Sequence, residues 1–304
     1  MFKSSKKKLI VSGCSYSDNY AQKQKIGDFD VYGNLLAKKL NMNLVNTSVC
    51  GSGNKSIYNR VINHILNNDK DDIGLVICMW SELQRVCTYS WDTSDKGKTG
   101  GRNPWQSFHP ERTVLDAEWH EEKFNNNSKY ITMQYKLSKL LREYHLDSIK
   151  LGVQDFHSYA FAFQNICENL EIPYLQIFGP PLLLGKQNPH HRIQYEILQK
   201  CIIESQYYDR MKETFIGWPV VPLQFFPKKI KKTNIKYFSF DDLLGPAAGW
   251  KYYPHHQAVE KGLKKDREWI DNEYRISAED SHPNGKGHEL ITEVLENAYQ
   301  KIYS

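Results

Sequence analysis

Short apolar runs alternate with longer segments of helical periodicity along much of the chain. Apolar runs closed by glycine or polar residues predict buried strands, and apolar residues three or four positions apart predict amphipathic helices. The predicted strands are Lys8–Ser12, Leu44–Asn46, Leu75–Met79 and Ile172–Phe178. The predicted helices are Asp30–Leu40, Lys55–Leu66, one or two within Ser128–Glu168, one around Ile193–Tyr207, and Asn284–Tyr303. This alternation predicts an α/β fold in which helices cover both faces of a parallel sheet.

Two stretches interrupt the pattern. Residues 88–127 are polar and carry Trp91, Trp105 and Trp119, and residues 208–275 are rich in aromatic residues and proline. A chain of 304 residues suits one α/β domain that carries insertions. We therefore expect a single domain over residues 1–304, with insertions at about 88–127 and 208–275.

Composition and charge exclude several classes of protein. The 40 Lys and Arg and 35 Asp and Glu give a net charge of +5 with largely scattered basic residues, which does not predict a nucleic-acid partner. No apolar run approaches the roughly 20 residues of a membrane-spanning helix. The basic start is followed only by Leu9–Val11, shorter than the apolar region of about 7–15 residues in a secretory signal. The six cysteines lack C-x-x-C pairs, which favours reduced thiols and a cytoplasmic location.

The first candidate for chemistry is Gly13-Cys14-Ser15, directly after the first predicted strand. Ligands of open α/β sheets bind at the carboxyl ends of the strands. A serine at the start of the next helix would meet free backbone N–H groups and the helix dipole, which favour a developing negative charge. We therefore consider Ser15 a candidate nucleophile, with an ordinary helix N-cap as the alternative.

The second candidate is Cys50-Gly51-Ser52-Gly53-Asn54, after the second predicted strand. Glycine allows close approach of the backbone to a ligand, so the Gly51 N–H could donate into an oxyanion hole and Asn54 could add a polar contact. A plain turn is the alternative. The segment also resembles a phosphate-binding loop, but that motif needs glycine directly before the lysine, and Asn54 precedes Lys55.

The third candidate is Glu279-Asp280-Ser281-His282, before the last predicted helix. A carboxylate close before a histidine can accept from Nδ1–H and leave Nε2 free as a base. His282 would then take the proton of Ser15. Asp280 is the favoured acid, Glu279 is the alternative, and an ordinary surface loop is the competing interpretation.

In this chain order the three segments resemble the SGNH (GDSL-like) hydrolase superfamily. Gly13-Cys14-Ser15 is similar to the first block of the family, with cysteine in place of the usual aspartate, while residues 46–54 resemble the second block and residues 280–288 the last. The resemblance implies a flavodoxin-like three-layer α/β/α sandwich and a Ser15–His282–Asp280 triad. It also implies an oxyanion hole built from the N–H groups of Ser15 and Gly51 and an asparagine side chain, with no metal or other cofactor.

The chain departs from the family after the third predicted strand. The usual G-x-N-D block is replaced by residues 79–85, so the oxyanion asparagine is missing from its place, and Ser81 or Asn54 would have to substitute. Loss of one such donor costs a serine hydrolase about 10²–10³ in rate. The last block also usually reads D-x-x-H, a spacing that Glu279 has, whereas Asp280 has the shorter one.

Other candidates are weaker. Trp80 and Arg85, with the three tryptophans of the first insertion, could line a sugar-binding cleft, although aromatic residues more often pack in cores and loops. The pairs His190-His191 and His255-His256 are interpreted as loop histidines, because no third metal ligand is evident. A thiol nucleophile at Cys14 is a minor alternative to Ser15.

We therefore expect an esterase that removes an O-acyl group, such as acetyl, from a carbohydrate or small polar molecule. An acyltransferase with the same residues is the nearest alternative. A non-catalytic binding or virion structural protein that keeps the fold is the alternative from another class, because the third-block asparagine is missing and the first insertion is long and carries tryptophans. The G-C-S and D-x-H-P elements also resemble SGNH-like chains of viruses of marine bacteria, which implies a virion-associated or infection-phase enzyme. A homo-oligomer or virion assembly is a further expectation, and no nucleic-acid or membrane partner is expected.

Overall fold

The computed structural model describes residues 6–89, 105–111, 113–114, 129–180, 197–198, 200–219, 251–252, 267–268, 274–277, 280 and 282–304. The predictions for Trp91, Trp119, Glu279 and the two histidine pairs lie outside these residues.

The described chain contains strands and helices in alternation. The strands are β1 (Lys8–Ser12), β2 (Asn43–Asn46), β3 (Ile73–Trp80), β4 (Val86–Tyr89), β5 (Trp105–Phe108), β6 (Tyr174–Phe178), β7 (Lys251–Tyr252) and β8 (Arg267–Glu268). The α-helices are α1 (Tyr20–Lys23), α2 (Tyr32–Lys39), α3 (Asn54–Leu66), α4 (Lys129–Glu143), α5 (Ile149–Asn169) and α6 (Gly285–Tyr303), with 3₁₀ turns at Lys70–Asp72 and Tyr208–Arg210. Residues 200–203 are also helical, within the helix predicted around Ile193–Tyr207.

The centre of the molecule is a four-stranded parallel sheet in the order β2-β1-β3-β6. This order corresponds to the flavodoxin-like arrangement, in which the second strand lies outside the first and the later strands continue on the other side. The prediction of a parallel α/β sheet is confirmed. The loops after β1, β2 and β3 therefore open on the same edge of the sheet.

Both faces of the sheet are covered, which explains the apolar strands. All eight residues of β3 are buried, and alternate residues belong to two separate core clusters. Val76, Cys78 and Trp80 pack with residues of α3 and α5, whereas Leu75, Ile77 and Met79 pack with residues of α2 and α6. Strands buried on two faces need apolar residues at every position rather than alternation. The predicted three layers are thus present.

Part of the second predicted insertion belongs to the sheet edge instead. Phe215 forms a parallel bridge with Gln176 of β6, where Gln176 N–H donates to Thr214 O and Ile216 N–H donates to Gln176 O. Phe215 is buried in the core cluster with α5, so the segment is fixed by both backbone bonds and burial. These contacts join residues 214–216, within the predicted insertion at about 208–275, to the edge of the sheet. The single-domain organisation stays a prediction, because most of both insertions lies outside the described residues.

The first predicted insertion begins with an antiparallel pair, β4 and β5. Tyr89 and Trp105 face each other across this pair with a T-shaped ring contact. Within the described ranges, none of the helices combines the length and apolar character needed to cross a membrane.

Candidate active site

Ser15 lies in a tight turn at the carboxyl end of β1. The Cys14 carbonyl accepts from the N–H groups of Ser17 and Asp18, at 3.0 and 3.1 Å, and so closes the turn. Helix α1 begins only at Tyr20 and has four residues. The prediction that Ser15 stands at the start of the following helix is wrong. Ser15 belongs to the turn closed by the Cys14 carbonyl, and the helix begins only after that turn. The position of Ser15 comes from β1 and this turn.

Ser15, His282 and Asp280 form a continuous hydrogen-bonded chain. The distance from Ser15 Oγ to His282 Nε2 is 2.7 Å, and that from His282 Nδ1 to Asp280 Oδ1 is 2.6 Å. An ionised carboxylate only accepts, so Nδ1 carries the proton and Nε2 accepts from the serine hydroxyl. His282 and Asp280 are each about one-quarter exposed, so both side chains are accessible from solvent.

The carboxylate of Asp280 is held in its charged form. Partial burial raises the pKa of Asp280, but hydrogen bonds from the backbone N–H and ring of His282 and from Tyr20 outweigh burial, so the pKa lies below its ordinary value. The backbone N–H of His282 donates to the same oxygen at 3.0 Å. A negative charge at this point stabilises the imidazolium that forms when His282 takes a proton.

The loop before α6 holds His282 in place through bonds to residues 274–277. Ile276 N–H donates to His282 O at 3.0 Å, and Asp280 N–H donates to Ser277 Oγ at 3.0 Å. Asn284 caps α6 by accepting from Gly287 N–H, while its amide donates to Arg275 O. The short D-x-H segment is therefore braced on both sides.

Tyr20 contacts both residues of the Asp280–His282 pair, and sequence reasoning missed it. Its ring stacks on the imidazole with centroids 4.2 Å apart and an angle of 26°, and its hydroxyl donates to Asp280 Oδ2 at 3.3 Å. Partial burial and the nearby Asp280 carboxylate raise the pKa of the phenol, so it stays protonated as a donor. The sequence offers no local signal for this role, because Tyr20 and Asp280 are 260 residues apart.

Removing the Tyr20 hydroxyl is expected to weaken the Asp280–His282 pair and to slow modestly any reaction that uses His282 as a base. Tyr20→Phe keeps the stacked ring but loses one hydrogen bond, which should lower kcat/KM about three- to tenfold, and Tyr20→Leu should lower it further. Without that donor the carboxylate favours imidazolium more strongly, so the acid limb of the pH profile should move to higher pH. Steady-state kinetics across pH measures both effects. Tyr58→Phe is the control, because Tyr58 pairs with the ring of Tyr159 instead. An unshifted acid limb in Tyr20→Phe would contradict the proposed effect of the Tyr20 hydroxyl on the Asp280–His282 pair.

Gly51 lies beside this centre in a turn that requires glycine. Ser52 N–H donates to Val49 O at 3.1 Å, and Gly51 has φ of +79°. A left-handed residue at the third position of such a turn is strained for any residue with a Cβ. Asp18 fixes the turn to the Ser15 loop, because its carboxylate accepts from Cys50 N–H at 3.2 Å.

Asn54 and Ser81 are engaged with each other. Asn54 Oδ1 accepts from Ser81 N–H at 2.7 Å, and Asn54 Nδ2 donates to Ser81 O at 3.2 Å. The Ser81 hydroxyl donates to the carboxylate of Glu82. All three side chains are buried. The prediction that Ser81 or Asn54 supplies the third oxyanion donor is therefore corrected, since both tie the start of α3 to the end of β3.

Trp80 and Cys14 are core residues. Trp80 is fully buried, donates from its indole N–H to Gln176 Oε1 at 3.0 Å, and makes edge contacts with Phe156 and Phe163. Its predicted role in substrate binding is wrong, because the alternation of β3 directs its ring towards α5. Cys14 is also fully buried, and burial raises the pKa of its thiol, which disfavours the thiol nucleophile.

Arg85, the other residue predicted to bind substrate, forms an ion pair with Glu82. Arg85 Nη2 donates to Glu82 Oε1 at 3.0 Å, and Nε lies near the second oxygen. Burial raises the pKa of Glu82, but Arg85, with smaller effects of His109 and Ser81, outweighs burial, and the pKa lies below its ordinary value. In the part of the chain that the structure describes, no group of three or more His, Cys, Asp or Glu side chains could hold a metal ion.

Comparison with protein-family models finds no match, and no curated protein matches the chain. Solved structures do show similarity. They include a protein described as lipolytic, of the G-D-S-L family, from Desulfitobacterium hafniense DCB-2, with 11% identity over 96% of this chain and 98% of that chain and a TM-score of 0.41. The acetyl xylan esterase AlAXEase has 12% identity over 97% of this chain and 99% of that chain, with a TM-score of 0.37.

A catalytic mutant of Axe2, an acetylxylan esterase from Geobacillus stearothermophilus, is similar at 11% identity. It covers 98% of this chain and 96% of its own, with a TM-score of 0.39. These structures include the family that the sequence blocks resemble. At such scores the similarity carries no weight for the roles of individual residues, which depend on the site itself.

Proposed function

We propose that the protein is an SGNH-like serine esterase with Ser15 as nucleophile, His282 as general base and Asp280 as the residue that orients the imidazole. One observation supports this proposal above all: Ser15 Oγ and His282 Nε2, 267 residues apart in sequence, lie 2.7 Å from each other, with Nδ1 on a carboxylate. A nucleophile within hydrogen-bond distance of a base that a third group orients is the arrangement acyl transfer needs. It favours an enzyme over a binding protein.

In the first half of the reaction Ser15 Oγ attacks the ester carbonyl carbon while its proton passes to His282 Nε2. The Asp280 carboxylate stabilises the resulting imidazolium. When the tetrahedral intermediate collapses, the bond from carbon to the alcohol oxygen breaks, and Nε2 returns the proton to the leaving alcohol. The product of this half is an acyl group on Ser15.

In the second half a water molecule attacks the acyl carbon and gives a proton to Nε2. The bond from carbon to Ser15 Oγ then breaks, Oγ regains the proton, and the carboxylic acid leaves. The N–H groups of Ser15 and Gly51 would donate to the negative oxygen in both intermediates. The turn at Gly51 supports this role, because it places a backbone without a side chain next to the Ser15 loop.

An O-acyl group on a carbohydrate or another small polar molecule is the proposed substrate. The β4–β5 pair supports a glycan, since Gly53 N–H donates to Ser107 Oγ and thereby joins this pair to the Gly51 loop. Its half-buried Trp105 and half-exposed Tyr89 carry apolar ring faces and polar edges that suit sugar rings. Acyl transfer to a sugar hydroxyl uses the same steps, and no observation on the described residues favours it over hydrolysis.

A fluorophosphonate ester tests the proposal directly, because it reacts only with an activated serine. We expect one phosphonyl group on the peptide that contains Ser15, detected by mass spectrometry of the folded protein. Labelling should be lost in Ser15→Ala and unaffected in Ser158→Ala, a change at an exposed serine of α5. A folded wild-type protein that stays unlabelled at millimolar probe would contradict the esterase proposal.

A further inference from the structure

The guanidinium of Arg85 has one edge bound and one edge unused. Its Nη2 and Nε face the Glu82 carboxylate, and the pair is largely buried, with the Arg85 side chain 15% exposed and that of Glu82 5% exposed. No acceptor among the described residues hydrogen-bonds to Nη1. Nη1 is not among the buried side-chain atoms that lack a hydrogen-bond partner, so it reaches solvent and is accessible to an acceptor that arrives with a ligand.

This unused edge faces the Gly51 turn. Arg85 Nη1 lies 3.7 Å from the position that a Cβ would take on Gly51. Glycine at this position thus leaves van der Waals space between the turn and the guanidinium, and the backbone of Gly51 remains open towards Arg85.

The charge of Arg85 also reaches the surroundings of Ser15. Burial raises the pKa of both the Cys14 and Cys50 thiols, the carboxylates of Glu82 and Asp18 respectively add to the rise, and Arg85 opposes it in each case. Cys14 is the residue before Ser15, and Cys50 is the residue before Gly51. The guanidinium consequently lies within electrostatic range of both turns.

We propose that Arg85 Nη1 is the third oxyanion donor, binding the ester carbonyl oxygen as it becomes negative during attack by Ser15. The inference rests on the proposed esterase function and adds a residue to it. The two other candidates for a third donor, Ser81 and Asn54, are engaged with each other and with Glu82. A charged N–H donor forms a shorter and stronger bond to an oxyanion than a neutral one.

Glu82 sets the charge and the orientation that the Arg85 guanidinium presents to a ligand. Its carboxylate balances the charge of the guanidinium and fixes the direction of the fork, so the pair acts as an oriented dipole rather than as a free cation. A fixed dipole stabilises a charge that develops only in the transition state.

The test compares variants on p-nitrophenyl acetate, a neutral ester. Arg85→Met alone would leave Glu82 buried without a partner, so the principal variant is Arg85→Met combined with Glu82→Gln. We expect its kcat to fall about 10²-fold while KM changes less than about threefold. Arg85→Lys, which keeps the charge but not the fork, should lie between this variant and wild type. Arg210→Ala, at an exposed arginine, is the control.

Added guanidinium ion gives a second readout. In Arg85→Ala it should restore part of the lost kcat, and it should have no such effect on wild type. The rate of Ser15 phosphonylation should fall in parallel with kcat, because the phosphonyl oxygen occupies the oxyanion position. If the double variant does not fold by circular dichroism, Arg85→Lys and the rescue experiment provide the same comparison.

Three results would overturn the proposal: an unchanged kcat in the folded double variant or in Arg85→Lys, a rise in KM alone, or an absence of rescue. A rise in KM alone would place Arg85 in ground-state binding. Each of these leaves the esterase function intact as long as Ser15 of the wild type is labelled. An unlabelled wild type would instead reject the esterase function itself.

Discussion

Replacing His282 with alanine is expected to lower the kcat of ester hydrolysis by about 10⁶-fold, the size of effect seen when a serine hydrolase loses its base. Without Nε2 at 2.7 Å, the Ser15 hydroxyl keeps its proton and is a poor nucleophile at neutral pH. Ser15→Ala should have an effect of the same size. The Ser15→Ala/His282→Ala double variant should be no slower than either single variant, because the two residues act as a unit.

Asp280→Asn should lower kcat less, by about 10⁴-fold, since asparagine keeps the shape but favours the wrong tautomer of His282. Steady-state assays with circular dichroism as a check on folding measure these effects. His145→Asn is a suitable control, because His145 is exposed and has a φ of +55° that asparagine tolerates. Activity of His282→Ala within tenfold of wild type would show that Ser15 does not depend on this base.

Acid is expected to destabilise the fold through two buried histidines outside the triad. Burial lowers the pKa of His157 to about 4, and burial with a smaller effect of His282 lowers that of His288 to about 3. His288 Nδ1 accepts from the Tyr32 N–H at 3.3 Å, which a protonated ring could not do. His157 Nδ1 is 3.0 Å from the hydroxyl of Ser205, and the His157 ring makes a T-shaped contact with the ring of Trp218.

Both histidines have a folded-state pKa below the ordinary value of about 6.5, so the unfolded chain binds more protons as pH falls. The stability that they contribute is present above about pH 6.5 and is lost progressively towards pH 4 for His157 and pH 3 for His288. Each should lower the free energy of unfolding by about 2 kcal/mol between pH 8 and pH 5.

Urea unfolding at pH 8 and pH 5 measures this loss. In His157→Asn and His288→Asn, Oδ1 replaces Nδ1 as an acceptor without titrating, so each variant should lose about 2 kcal/mol less than wild type on acidification. The exposed His145→Asn control should behave as wild type. An equal loss in wild type and both variants would contradict the assignment.

The strands of the central sheet could be predicted because buried strands have continuous apolar runs in the local sequence. Residues 73–80 are apolar at nearly every position, which follows from a strand covered on both faces. The Phe215 segment could not be predicted in this way. Its pairing with Gln176 depends on where the chain returns in space, and its local composition resembles a loop.

Some residues of the candidate site could likewise be predicted from the sequence, and others could not. Ser15, Asp280 and His282 were selected from their residue types and their places next to predicted elements, and the structure brings them within hydrogen-bond distance. Tyr20 was missed because a ring that stacks on a histidine from a distant segment has no local pattern. Trp80 was misassigned because an indole at the end of a strand can point into the core or out of it, and only packing selects one side.

The sequence by itself determined the alternation of strands and helices and the candidate serine, acid and histidine, since these depend on local periodicity and residue chemistry. The tertiary structure decided which polar groups are engaged with one another and which are not. Asn54 and Ser81 satisfy each other, whereas Arg85 keeps Nη1 beside Gly51. Hydrogen bonds between distant segments set that outcome, because a buried polar group takes the partner that folding brings to it.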